Sequence, residues 1–416
     1  MCRGMGFRFE RVLRVVVAMA GGAGGGGELS SQQPVTRVDA VDAAITHGPR
    51  LAVARADTAV ALAQLLTARA LPDPTVAASY TKDVPQYHAS LDVPIDFPWL
   101  RGARIGSAVA ARIAARYRFT FARAIAALDA DTTYTRALAA RAHADLSRRN
   151  ARDADTLRRM AVVRRDAGDA SELDVELATV NAGQQANVAA ADSLTYVSLL
   201  FDLQTVMGIP SDSVEVVPTD SLVVPADLDG DGATPPTPTL EVAAAEEALS
   251  SATLAARLQH RSVWGAPSLT VGFDTHDPGA TGNALLPLFG VAIPLPVFGR
   301  NRGAIAQAEA ELVRARAELA LARVEGAARI ARARRERDIA LAKVRRDRIL
   351  LTSANRVAVM SLTAYREGES SLPNVLEAQR NAREVLGQYI DDVAQAWIAT
   401  AALRVFTLTV QASAAR

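Results

Sequence analysis

The chain has 416 residues and a formal net charge of +1, from 46 Lys and Arg against 45 Asp and Glu. Near-neutrality excludes an overall field that would favour nucleic acid or an acidic partner. The single cysteine, Cys2, excludes a disulfide framework and a thiolate metal site. Length fits two or three domains or one elongated fold, and an Ala-rich chain with few aromatics suits close-packed helices rather than a bulky core.

The N-terminus reads as a weak export signal and linker over 1–37. Arg3, Arg8, Arg11 and Arg14 precede a short apolar core, Val15–Ala20, and then the glycines 21–27. This loosely resembles a signal peptide, from which Arg14 and the glycines depart. Cys2 comes too early to be a lipidation cysteine after such a core. No apolar run reaches the roughly 18–20 residues of a transmembrane helix.

Residues 38–208 form a first structural repeat. The stretch 38–70 reads as Ala-rich helix, interrupted at Gly48-Pro49 and stopped by Pro72 and Pro74. Thr75–Thr81 is a short strand. Tyr87–Phe97 alternates strictly, with Tyr87, Ala89, Leu91, Val93, Ile95 and Phe97 on one face and His88, Ser90, Asp92, Pro94 and Asp96 on the other. Ser107–Arg165 contains neither Pro nor Gly, which allows roughly 90 Å of helix. Gly168 breaks it, Ser171 and Asp174 can cap the next helix, and a return helix runs to Gly208-Ile-Pro210. Residues 209–239 form a linker or small irregular subdomain. Within it, Asp227, Asp229 and Asp231 resemble the first half of a calcium loop, but Pro238 stands at the twelfth position, so a solvated acidic turn is the alternative.

Residues 240–409 repeat the order, before a tail at 410–416. Leu240–Arg261 is a helix, Pro267–Thr275 and Leu285–Val297 are strands, and Arg302–Glu367 is a second long helix. Gly368 breaks it, and Ser371–Thr407 returns. Ile305, Leu312 and Leu319 recur at seven, as in coiled-coil-like packing. The repeats match at a constant offset of 200, with Gly168/Gly368, Ser171/Ser371, Val175/Val375, Ala178/Ala378, Asn181/Asn381 and Ala182/Ala382.

No nucleophile motif, phosphate loop or dinucleotide fingerprint is present. The five histidines lack ligand spacing and read as ordinary surface or loop residues. The sequence therefore points away from an enzyme. Two strands per repeat have roughly the 9–11 residues that cross a bilayer when tilted. Four strands cannot close a barrel, and open edges are not tolerated in lipid, so a membrane reading requires several chains. The helices far exceed a hydrocarbon core of about 30 Å and must project out of it.

Three features together resemble the TolC-type outer membrane efflux proteins from about Val38 to Thr409. They are the paired tips Arg165–Ala182 and Tyr365–Ala382, the junction from Val291 to Gly303 (VAIPLPVFGRNRG), and the duplicated element order. The resemblance implies a mainly α fold with a membrane β-barrel portion. Long antiparallel helical hairpins would form a periplasmic tunnel, and four strands per chain would enter a shared, trimeric, twelve-stranded barrel. It implies a homotrimer in the outer membrane, acting as a passive exit duct that docks onto a periplasmic adaptor and an inner-membrane pump of the resistance–nodulation–division class. The residues themselves give no sign of a cofactor, a metal site or a nucleic-acid partner. The junction looks most like the subgroup serving heavy-metal cation pumps.

Residue by residue, the resemblance puts a channel constriction at Asn374 and Glu377 and adaptor-docking tips at Gly168, Ser171, Gly368 and Ser371. It puts lipid contact at Leu91, Val93, Ile95, Val291, Ile293 and Leu295, with Asp92 inward. Asp174 and Glu176 of the first tip would add charge to the constriction if they turn inward. The first junction, Pro94–Gly102, departs from the family pattern and carries Asp96. The alternative is a periplasmic adaptor, which has one helical hairpin flanked by two halves of a β-domain.

Overall fold

The computed structural model describes residues 32–83, 85–210, 215–225, 238–263, 266–276, 285–296 and 299–410. The export signal over 1–31, the aspartates 227–231, Val297 and Phe298 of the second junction, and the tail from 411 lie outside them.

In chain order the elements are β1 (Gln32–Val35), α1 (Arg37–His47), α2 (Pro49–Arg69), β2 (Thr75–Tyr80), β3 (Tyr87–Pro94), α3 (Pro98–Asp166) and α4 (Glu172–Met207). There follow β4 (Glu215–Pro218), α5 (Leu240–Arg261), β5 (Ser268–Thr275), β6 (Leu286–Ala292), α6 (Arg302–Arg366) and α7 (Leu372–Phe406). The order of helix, two strands, long helix, tip and return helix thus occurs twice.

α3 has 69 residues and α6 has 65, so each is about 100 Å long. α3 starts earlier than the Gly-free stretch implies. Pro98 suits the first helical turn, where its missing N–H costs nothing, and Gly102 and Gly106 fall inside the helix. Gly106 has a packing reason, since a Cβ there would lie 3.1 Å from the Leu254 side chain of α5. Alanines dominate the buried stripe of α3, among them Ala110, Ala114, Ala130, Ala137, Ala144, Ala154 and Ala161. Small side chains let neighbouring backbones approach closely, so much of the core lies in thin seams along the helices.

In the lower part of the molecule α4 packs on α3, α3 on α7, and α7 on α6. Nearer the sheet, α2 and α5 flank α3, and α5 also packs on α6. α2 is, by length and composition, apolar enough to cross a membrane, contrary to the sequence expectation. It buries Leu51, Ala61, Leu65 and Ala68 and packs on α3 instead.

Of residues 32–37, expected as linker, Gln32–Val35 form a strand of a second small sheet, and Thr36 and Arg37 start α1. β1 pairs with β4 in parallel, with Gln32 opposite Glu215 and Val35 opposite Pro218. Val35, Tyr134, Leu138, Leu203, Met207 and Val216 share one buried cluster. Arg37 fastens it. Its backbone N–H donates to Asp220 (2.8 Å), and its guanidinium pairs with Asp131, donates to Thr135 and stacks 4.4 Å over the Trp397 ring. The Tyr134 hydroxyl donates to the Val35 carbonyl at 3.0 Å and contacts Asp220 at 2.9 Å. Burial pushes the Tyr134 phenol up to about 12.

Candidate functional site

The two halves join in one antiparallel sheet of order β2-β3-β5-β6. In an antiparallel pair, directly opposed residues share a face. The register aligns Val76, Leu91, Val271 and Phe289 across all four strands, and beside them Val93, Leu269 and Val291. This face is apolar and uncovered: Val76 is 78% exposed, Phe289 75% and Val291 65%. The opposite face carries Asp92, whose carboxylate accepts from the Thr270 hydroxyl, and His88 Nδ1, 2.8 Å from Asp274. Thr81 Oγ1 lies 3.2 Å from His88 Nε2. Leu91 and Asp92 therefore point to opposite faces, as the alternation implies. Gly272 is required by the fold, because a Cβ there would lie 2.5 Å from the Ala89 carbonyl oxygen of the next strand.

The strands are shorter than expected. β6 stops at Ala292 rather than Val297, and β3 at Pro94 rather than Phe97. Pro294 and Pro296 cannot donate to a ladder, which ends β6. Ile293 and Leu295 therefore lie beyond the strand, exposed. Ile95 keeps one ladder-like bond, its N–H donating to the Pro267 carbonyl at 2.8 Å. Strands of eight residues span about 26 Å, close to the roughly 25 Å apolar band of a membrane barrel.

At the far end, both hairpins reverse at a glycine. Gly168 has φ +85° and Gly368 φ +81°, a region that L residues avoid. Each helix end closes the same way: Asp169 N–H donates to the Arg164 carbonyl, and Glu369 N–H to the Ala364 carbonyl, both at 2.8 Å. The next helix starts differently in the two repeats. Ser171 and Asp174 form a reciprocal capping box, in which the Asp174 carboxylate accepts from Ser171 N–H at 3.0 Å and from its hydroxyl at 2.8 Å. Asp174 is thus committed to its own helix end. Ser371 sits at the start of α7 without a side-chain cap bond, and Pro373 occupies the first turn.

The two tips are bound to each other. Leu157, Ala161, Val175, Ala178, Tyr365, Leu372 and Val375 share a buried cluster. Arg164 Nη1 donates to the Tyr365 carbonyl at 2.6 Å, and its guanidinium lies 4.7 Å from the centre of that ring. No sequence signal marks this contact, because Arg164 and Tyr365 belong to different repeats.

Asn374 and Glu377 are exposed on the first two turns of α7. Glu377 lines a groove of about 720 Å³ among α3, α4 and α7, with Asn181, Gln184, Arg380, Arg383 and Glu384. Arg380 follows Glu377 at i+3 on the same face. Burial pulls the Arg383 guanidinium below its ordinary value, against the pull of Asp153. Of the histidines, His88, His143 and His260 each pair with one carboxylate. Among the described residues no three His, Cys, Asp or Glu converge on a point where a metal ion could sit.

Residues 274–407 match the family model described as outer membrane efflux protein. No protein with a curated description matches by sequence. Solved structures match over most of the chain. The Campylobacter jejuni CmeC outer membrane channel aligns with a TM-score of 0.75 at 16% identity, covering 89% of this chain and 85% of that one. A membrane protein from Pseudomonas aeruginosa aligns at 0.74 and 19% identity, covering 89% and 93%. The outer membrane protein VceC from Vibrio cholerae aligns at 0.72 and 16% identity, covering 90% and 96%. The two hairpins and the single shared sheet also disfavour the adaptor alternative, which has one hairpin. The second repeat thus matches the outer membrane efflux protein model over residues 274–407, and the whole chain carries the fold of the solved outer membrane channels.

Proposed function

We propose that three copies of this chain close into a passive exit duct across the outer membrane, its helices forming a tunnel in the periplasm. One observation carries the reading: a membrane-length sheet with an uncovered apolar face is fused to helical hairpins of about 100 Å. The sheet begins at β2 and ends at β6. Edges of this kind are not tolerated in lipid, and closure needs strands from other copies. Leu91, Val93, Ile95, Val291, Ile293 and Leu295 contact lipid in this reading, and Asp92 faces water. Crosslinking and heat-modifiable gel migration of outer membrane fractions test it. A heat-labile trimer is expected, and a monomer confined to the soluble fraction would refute the duct.

The exposed tips, with Gly168, Ser171, Gly368 and Ser371, dock onto a periplasmic adaptor, which links the duct to an inner-membrane pump of the resistance–nodulation–division class, in the subgroup exporting heavy-metal cations. The periplasmic end narrows at Asn374 and Glu377, where Glu377 supplies one carboxylate per copy. Charged rings of this kind select ions at close quarters. Arg380 follows one turn away and tempers the ring's field. Glu377→Gln is expected to weaken cation preference and block by a trivalent cation severalfold in planar-bilayer recordings. Unchanged selectivity and block would remove Glu377 from the constriction.

A further inference from the structure

The seam between α3 and α7 turns polar partway along. Toward the sheet it is closed by Ala139, Leu146, Ile390 and Ala394, and toward the tips by Leu157, Ala161, Leu372 and Val375. Between these apolar clusters stand Asn150 and Asp153 of α3 and Gln379 and Arg383 of α7. Arg383 lines the groove of about 720 Å³ among α3, α4 and α7, and also a smaller one of about 290 Å³ among α3, α6 and α7.

Hydrogen-bonding capacity is left over in the larger groove. Asn181 Nδ2 is shut from solvent and has no partner. Arg383 is half-buried, and among the described residues it makes no hydrogen bond or ion pair; Asp153 acts on it through charge alone. Buried donors without acceptors are costly, and a bound acceptor relieves that cost. Asp192 lines the other end of the groove, and its carboxylate is likewise unengaged among the described residues. His143 beside it is not free, because its Nε2 lies 2.8 Å from Asp391. The stretch between is lined in part by apolar Leu146 and Val188 and by Gly387, which adds no side chain. Glu377 and Glu384 are exposed at the rim, and Arg380 stands one helical turn from both, so part of their charge is offset there.

We infer that this groove is a binding site for a small zwitterion with an apolar body. Its carboxylate sits on Arg383 and Asn181, its ammonium on Asp192, and its body along Leu146 and Val188. Counted from the tip glycines, Asn181 and Arg383 stand 13 and 15 residues up and Asp192 stands 24 up, so about 15 Å of helix separates the two ends. A guanidinium suits a carboxylate, since charge-assisted hydrogen bonds are the strong ones. An anion alone would leave Asp192 unanswered, and a cation alone would leave the donors of Arg383 and Asn181 unspent. Only a ligand with both charges, held apart, meets both ends. The groove lies within one chain, so the site goes beyond the duct proposed above and does not depend on it.

The test uses the full chain in detergent and a rigid probe, 4′-(aminomethyl)biphenyl-4-carboxylate, whose charged ends are held apart by two aromatic rings. Its methyl ester carries only the cation, and 4′-methylbiphenyl-4-carboxylate only the anion. Calorimetric titration, with empty micelles subtracted, is expected to show the zwitterion binding about tenfold more tightly than either, the scale of one hydrogen bond to a charged group. Arg383→Met should bring its affinity down to that of the ester, and Asp192→Asn down to that of the methyl analogue. Val188 is 46% exposed, so Val188→Trp should leave the fold intact, fill the groove and abolish binding of the probe. Equal affinities for the three compounds, or binding that ignores Val188→Trp, would overturn the site. A wild-type chain that is monomeric in the membrane but keeps the preference for the zwitterion would overturn the duct and uphold this site.

Discussion

Asp347 of α6 and Asp392 of α7 meet within the seam of the second hairpin. Both are buried, at 9% and 5% exposure, and each carboxyl shifts the other's affinity for protons. Lys343 Nζ lies 3.2 Å from Asp392. Burial, and then the bond to Asp392, raise the Asp347 carboxyl, while Arg346 and Lys343 pull against the rise. Burial also pushes Asp392 up, but the bonds from Asp347, Gln388 and Lys343 outweigh it and hold Asp392 below the usual range. Asp347 therefore holds its proton more tightly than Asp392 does. The signs follow from linkage. The stabilisation from Asp347 is complete below the ordinary carboxyl value and is lost as pH rises through its raised value. That from Asp392 is present above the ordinary value and is lost as pH falls through its lowered one. Asp347→Asn keeps a donor toward Asp392 at every pH, so the variant should be more stable than wild type at neutral pH, on the order of 1 kcal/mol, the scale of one hydrogen bond. Thermal unfolding from pH 4 to 8 checks this, and parallel profiles for the two proteins would count against a raised Asp347 carboxyl.

At the scale of elements, turn and strand glycines make opposite demands. Gly368 is needed for its backbone, because a Cβ there would come no nearer than 3.8 Å to Arg164 Nη2. Gly368→Ala should therefore cost about 1 kcal/mol, the strain of a left-handed L residue, and Gly368→Asn less, since Asn tolerates that region. Gly272 is needed for its size, so Gly272→Ala should damage the sheet more than either tip change. Measuring the unfolding of all three variants in detergent ranks them, and a tip change as damaging as Gly272→Ala would refute the distinction. The two sheet faces differ in the same testable way. Val271→Arg, on the bare apolar face of a central strand, should cost about 2–4 kcal/mol near mid-bilayer and reduce insertion into liposomes. Ser90→Arg, on the polar face, should be tolerated. Equal penalties would argue against lipid on the apolar side.

At the scale of the whole molecule, the sequence alone determined the duplication, the element order, the reversal at Gly168 and Gly368, and the alternation that separates Leu91 from Asp92. Each of these is local or periodic: missing prolines permit a long helix, a glycine permits φ near +80°, and period two sorts two faces. What tertiary structure decided is the meeting of distant residues. It set Arg37 against Asp131, Asp220 and Trp397, drew residues 32–35 into a parallel pair with β4, fastened Arg164 to Tyr365, and brought Asp347 to Asp392. It also ended β6 at Ala292, where two prolines overrode an alternating pattern that ran on to Val297. Pairings between residues so far apart leave no periodic trace in one sequence, because their energy arises only when the folded helices bring buried groups within reach of one another.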